Sequence, residues 1–199
     1  MSARTLRILL ISAAFLSGLL LCLGIIVTLT GRLSAPVAQQ VAAIGGPFRL
    51  VDHNGREVTE QDFKGKPFLV FFGFTHCPDV CPTALFEISE IMRALGPDAE
   101  KTRALFITVD PERDTPSVMK DYLSSFDPHV IGLTGEPAAL ASVAKAYRVY
   151  YKKVPLDQGG YTMDHTAIVY LMDKQGRFVA PFSLKRSTEA AAADLRKHL

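Results

Sequence analysis

The run Phe68-Leu69-Val70-Phe71-Phe72-Gly73-Phe74 carries no polar side chain and is bounded by two loop segments, Lys64-Gly65-Lys66-Pro67 and Thr75-His76-Cys77-Pro78. A strand wetted on one face alternates apolar and polar residues. A continuous apolar run of this length reads instead as a strand buried on both faces, so the chain must supply cover above and below it. The run opens directly into Cys77-Pro78-Asp79-Val80-Cys81-Pro82. Beyond it, Leu85, Ile88, Ile91, Met92 and Leu95 recur at helical spacing, and Gly96-Pro97 ends the pattern.

The remaining chain supplies the cover. Phe48 to Val51 and Glu57 to Thr59 flank Asn54-Gly55 and predict a β-hairpin. Ala104 to Val109 is a second buried strand, and Thr115-Pro116 opens a helix to about Phe126. A short strand at Val130 to Leu133 and a helix at Pro137 to Tyr147 follow. Tyr147 to Lys153 reads as an irregular strand or turn, and Leu156 to Tyr161 as a polar loop. Ala167 to Met172 is an apolar strand that pairs back with Phe178 to Phe182. A last helix runs from Ser187 to His198, with Ser187 or Thr188 as its N-cap. Alternating strands and helices predict an α/β sheet covered on both faces. The cysteine loop then lies at the C-terminal end of a central strand, where such sheets place ligands.

Ile8 to Gly31 is a 24-residue run without a charge. As a helix it is ~36 Å long, enough to cross a bilayer core of ~30 Å. Arg4 and Arg7 precede it and Arg32 follows, which by the positive-inside rule leaves the N-terminus in the cytoplasm and the domain outside. We therefore expect a cytoplasmic N-terminus at residues 1–7, a transmembrane anchor at 8–31, a linker at 32–46 and a domain at 47–199. A cleaved signal peptide fits less well, because its apolar core is shorter and Leu33-Ser34-Ala35 is a weak cleavage site. The three cations of the first 46 residues leave 19 Lys+Arg against 20 Asp+Glu in the domain, a balance that argues against nucleic-acid binding.

Three cysteines exclude a disulfide scaffold, and Cys22 lies in the apolar N-terminal run as an inert small residue. Cys77 and Cys81 are the only pair in the domain. Pro82 suits a first helical position, which predicts Cys81 as N-cap and a thiol pKa lowered by the helix start. The spacing is Cys-x-x-x-Cys, and the chain has no tryptophan, unlike the Cys-x-x-Cys of thioredoxin-type redox pairs. Two soft thiolates suit Cu(I) or zinc, and structural zinc asks for four protein ligands. A histidine as third ligand would favour Cu(I). His76 adjoins Cys77, and His53, His129 and His198 read as surface residues. His165 stands where a long loop meets an apolar strand, and from the residues alone it competes with a merely structural histidine. Asp79 reads as a contact or supporting residue, or as solvated loop. Asp110 to Asp114 organises a loop and caps the next helix, and Tyr147 to Tyr151 either packs on the sheet or faces a partner.

The domain resembles the Sco (SenC) family in Gly46-Pro47-Phe48, in Phe72 through Pro82, in Val109-Asp110-Pro111-Glu112-Arg113-Asp114-Thr115, in Gly132-Leu133-Thr134-Gly135, in Ala146 through Tyr151 and in Asp164-His165-Thr166. The resemblance implies a thioredoxin-like fold carrying an added N-terminal hairpin. It implies copper ligation by Cys77, Cys81 and His165, with Cu(I) expected and Cu(II) open. It also implies a single-pass protein of the bacterial or mitochondrial inner membrane, with its domain in the periplasm or intermembrane space. The partner implied is cytochrome c oxidase subunit II, whose copper A centre would receive the metal; another copper chaperone or a thioredoxin-like reductant could serve as a second partner. The alternative is a thiol–disulfide oxidoreductase, in which Cys77 and Cys81 are a redox-active pair able to form a disulfide and keep the oxidase cysteines reduced. A redox or copper sensor stays open. A peroxiredoxin-like peroxidase is disfavoured, because Pro-x-x-x-Thr-x-x-Cys is missing before Cys77.

Overall fold

The computed structural model describes residues 3–33 and 44–199. The chain divides into two compact units, Met1–Ala42 and Ala43–Leu199. In the first, α1 (Ala3–Leu33) is one 31-residue helix, and its described side chains, Leu10, Phe15, Leu19 and Leu21 among them, are exposed. Among the described residues no helix is long and apolar enough to cross a membrane. The structure therefore does not itself supply the transmembrane helix expected over residues 8–31, and that expectation rests on the sequence run alone. Most of the expected linker, residues 34–43, lies outside the described residues.

The second unit is a mixed α/β layer structure. Its strands are β1 (Arg49–Asp52), β2 (Glu57–Thr59), β3 (Phe68–Gly73), β4 (Arg103–Thr108), β5 (Val130–Thr134), β6 (Tyr151–Pro155), β7 (Tyr161–His165), β8 (Val169–Met172) and β9 (Phe178–Pro181). Its helices are α2 (Val80–Leu95), α3 (Pro116–Leu123), α4 (Pro137–Ala146) and α5 (Thr188–Arg196). Seven strands form one sheet in the order β2-β1-β5-β4-β3-β8-β9. β3, β4 and β5 are parallel, Phe71 facing Phe106 and Phe72 facing Ile107, while β8 runs antiparallel to β3 with Val169 opposite Phe71. The N-terminal hairpin β1–β2 extends the sheet through β5, Asp52 pairing with Leu133.

Every residue of β3 is buried, as its unbroken apolar run requires. On one face Phe71 stacks against Phe106, and Phe106 meets Tyr122 of α3. α3 closes so tightly here that a Cβ at Gly132 would stand 2.6 Å from Leu123. On the other face Phe72 packs against Tyr147, just past α4, and against Tyr170. Each fully buried aromatic side chain stabilises the fold by roughly 1.5–3 kcal/mol relative to exposure, and the sheet is lined with them on both sides.

Three features differ from the sequence expectation. α2 begins at Val80, two residues before Pro82, with Asp79 as its N-cap residue. Thr115, rather than a carboxylate, caps α3 by accepting from the Val118 N–H. Residues 161–165 are a strand, not the end of a loop: β6 and β7 form a separate two-stranded ribbon. His165 therefore ends that ribbon instead of starting β8.

Candidate metal centre

β3 ends at Gly73 beneath the start of α2, and this junction sets the position of Cys81. The helix begins early enough that Cys81 points inward, fully buried, while Cys77 stays half-buried. A Cβ at position 73 would lie 2.7 Å from the Phe106 ring and 2.8 Å from Cys81 Sγ. The sulfur thus occupies the volume that a side chain on Gly73 would need. The loop between the cysteines curls so that the Cys81 N–H donates to Cys77 Sγ at 3.4 Å.

His165 arrives from the opposite direction, on the end of the β6–β7 ribbon. Its Nδ1 lies 3.2 Å from the Thr166 carbonyl oxygen. A carbonyl only accepts, so Nδ1 carries the proton and Nε2 presents its lone pair. That lone pair faces Cys81 Sγ at 3.5 Å. Phe71 and Phe74 stand edge-on to the half-buried imidazole, at ring separations of 6.3 and 5.8 Å. Cys77 Sγ, Cys81 Sγ and a ring nitrogen of His165 all lie within 4.8 Å of one another. Among the described residues no other such group of three metal-ligating side chains occurs.

Burial dominates the electrostatics. It pushes the Cys81 thiol far above its usual range, with neighbouring Cys77 and Asp114 acting in the same direction. This reverses the expected lowering by the helix start: the sulfur is sunk into the core, and desolvating a thiolate outweighs the helix-end field. Burial also lowers the His165 pKa, which keeps the imidazole neutral and able to ligate. The thiols are free in this structure, so the Cys77–Cys81 disulfide that the redox alternative allows is not formed here. Two thiols and one neutral imidazole are the donor set that a soft, low-coordinate ion prefers.

The other sequence candidates fall elsewhere. His76 is exposed and contacts Thr75 Oγ1 at 3.1 Å. His53 is not a free surface group: its Nδ1 accepts from the Gly132 N–H and helps hold the hairpin to β5. His129 pairs with Asp127, and His198 lies in the last turns of the chain. Asp79 is exposed, and its carboxylate accepts from Thr83 Oγ1. Cys22 is exposed on α1. Tyr147 packs in the core while Tyr150 is exposed.

Asp114 organises its loop as the sequence reading has it, but its partners, and the contact made by Tyr161, escaped that reading. Asp114 is fully buried and accepts from Thr108 Oγ1 and from both the N–H and hydroxyl of Thr75, just ahead of Cys77. Tyr161, at the start of β7, donates its hydroxyl proton to Asp110 at 2.9 Å. The one signal available was topological, since loops at the C-terminal ends of parallel strands converge.

Residues 36–199 match the family model described as SCO1/SenC. The mitochondrial SCO2 homolog of Bos taurus is 42% identical over 166 residues, covering 81% of this chain and 62% of that protein. The mitochondrial SCO2 homolog of Homo sapiens is 40% identical over 166 residues, with the same 81% and 62% coverage. The chain thus spans less than two thirds of the length of these relatives. Among solved structures, copper-bound ScoI of Bradyrhizobium japonicum is 67% identical, with a TM-score of 0.77, covering 79% of this chain and 100% of that one. Copper-bound ScoI of Arabidopsis thaliana is 38% identical, with a TM-score of 0.73, covering 78% and 98%. Together with the mixed α/β, thioredoxin-like Sco fold of the second unit, these matches establish that the chain belongs to the SCO1/SenC family.

Proposed function

We propose that this protein carries copper, held as Cu(I) by Cys77 Sγ, Cys81 Sγ and His165 Nε2, and passes it to the copper A centre of cytochrome c oxidase subunit II during assembly. One observation carries the reading: two sulfurs and an imidazole nitrogen from segments 84 residues apart converge within 4.8 Å, with Nε2 unprotonated and 3.5 Å from Cys81 Sγ. Membership in a family with copper-bound solved members supports it. Copper is cargo here. Loading replaces the Cys81 proton with the ion, since only the thiolate ligates. Half-buried Cys77 is the donor that an incoming partner ligand reaches first, so release proceeds by ligand exchange from that side.

The unequal burial of the two thiols also favours a second reading, a thiol–disulfide reductase. The Cys77 thiolate attacks one sulfur of a partner disulfide, whose S–S bond breaks: that sulfur joins Cys77 in a mixed disulfide and the other leaves as a thiolate that takes up a proton. Cys81, deprotonated, then attacks Cys77 Sγ, the partner leaves as a thiolate that takes up a proton, and the Cys77–Cys81 disulfide results. A thioredoxin-like reductant restores the dithiol. The two readings separate on His165, which only the first requires. His165→Ala in the full chain should weaken Cu(I) binding by 10-fold or more, in the range of ~10–100-fold typical for disturbing a metal's ligand shell, as read by competition with a Cu(I) chelator. Unchanged affinity would sink the copper reading, and undiminished disulfide turnover by the copper-free variant would favour the second.

We place the domain outside an inner membrane, bacterial or mitochondrial, with α1 as the anchor. The uncharged run Ile8 to Gly31 and the arginines that flank it support this.

A further inference from the structure

The ribbon that carries His165 has no ladder bonds to the seven-stranded sheet among the described residues. Strand pairing therefore does not fix the distance between the histidine and the cysteines. The loop after β4, residues 110–114, spans that gap. At one end, Asp114 grips the cysteine side: it accepts from the Thr75 N–H at 3.1 Å and from the Thr75 hydroxyl, and from Thr108 Oγ1 at 2.6 Å. At the other end, two residues grip the ribbon. Asp110 accepts from the Tyr161 hydroxyl at 2.9 Å. Arg113 donates from Nε to Asp110 and from Nη1 to the Tyr161 carbonyl at 3.0 Å. Its guanidinium also lies 3.8 Å from the Tyr161 ring centroid and 5.8 Å from that of Phe74, and Phe74 is edge-on to His165. Outside this core, Lys153 of β6 bridges to Glu112 at 2.6 Å and rests on the Tyr161 ring.

Asp110 is 2% exposed and Arg113 23%, and burying an ion pair stabilises little unless its remaining hydrogen bonds are met. Here Asp110 is met by Arg113 and Tyr161 together, and of the guanidinium nitrogens only Nη2 is buried without a hydrogen-bond partner. The guanidinium supplies a planar fork that a lysine cannot reproduce, and it binds two groups of the ribbon's first residue at once.

We propose that Asp110, Arg113 and Tyr161 are positioning residues that set the distance of His165 from the two cysteine sulfurs, and so hold the third donor in reach of the ion. This rests on the copper reading given above. None of the three touches the ion; they act through His165, four residues along β7 from Tyr161.

The test is a cycle in the full chain in detergent, using Tyr161→Phe, which keeps the ring, and Arg113→Lys, which keeps the charge, each with His165 present and with His165→Ala. Cu(I) affinity is read by chelator competition. With His165 present, Tyr161→Phe should weaken binding about 10-fold, at the low end of the ~10–100-fold range seen when partners behind a metal ligand are lost, and Arg113→Lys more. With His165→Ala, neither should change affinity as much as ~2-fold, because sites acting through one residue are not additive. Equal losses in both backgrounds, or no loss in either, overturn the proposal. In the metal-free chain, the His165 imidazole NMR signals should shift in Tyr161→Phe, and signals identical to wild type also overturn it. Failure of the copper reading looks different: His165→Ala alone then leaves affinity unchanged.

Discussion

Cys81 sits at 0% exposure while Cys77, four residues earlier, keeps a path to solvent. The burial that hides Cys81 also holds its thiol protonated, so two controls on reactivity, access and thiolate fraction, act in the same direction. In the reduced, metal-free protein at neutral pH, iodoacetamide should modify Cys77 well before Cys81, with a rate ratio of ~10 or more, as read by peptide mass spectrometry with Cys22 followed separately. Equal rates would mean that the loop opens readily enough to expose both sulfurs. The same asymmetry bears on either proposed role, since in each Cys77 would meet the partner and Cys81 would complete the exchange from behind.

At the scale of elements, the junction of β3 and α2 does the arranging. Gly73 gives up its side chain to make room for Cys81 Sγ, so Gly73→Ala should crowd the sulfur against Phe106. Overpacking of this kind costs ~1–3 kcal/mol, which in a chain of this size lowers Tm by roughly 2–4 °C per kcal/mol, and Cu(I) affinity should fall with it. Unchanged Tm and affinity would show that the end of β3 yields without strain. β3 itself was legible from its apolar run, as were β4, β8, the hairpin and the Ser187 cap of α5, which accepts from the Ala190 N–H. Each announces itself through local pattern. The start of α2 was read two residues late, because Pro82 suits several positions in a first turn and only the inward turn of Cys81 decides among them. β7 was missed because Tyr161-Thr162-Met163-Asp164-His165 is polar on the side away from the core, with only Met163 buried, and its partner β6 is equally wet. Of the three candidate donors, Cys77 and Cys81 were legible from their own spacing and position, and His165 through the resemblance. The Asp114 and Tyr161 contacts were not, since they join segments 39 and 51 residues apart in sequence.

At the scale of the whole molecule, the chain separates by composition into a helix whose only charges, Arg4, Arg7 and Arg32, flank an uncharged run, and a nearly neutral domain. The domain forms its own compact unit from Ala43, so a chain beginning there should fold, stay in solution and bind Cu(I) with unchanged affinity. The full chain, by contrast, should remain with membranes after carbonate extraction. Loss of copper binding in the shortened protein, or release of the full chain by carbonate, would contradict that division of labour. The separation of 84 residues between Cys81 and His165 also has a meaning in time. At ~5–20 residues per second of synthesis, the cysteine pair leaves the ribosome about 4–17 s before the histidine does. During that interval β3 has no β8 to pair with, and Cys81 has neither its burial nor its third donor. The nascent protein thus presents a bare dithiol to whatever oxidants its compartment holds. A reductant acting during synthesis would keep that pair as free thiols until the rest of the domain closes over Cys81.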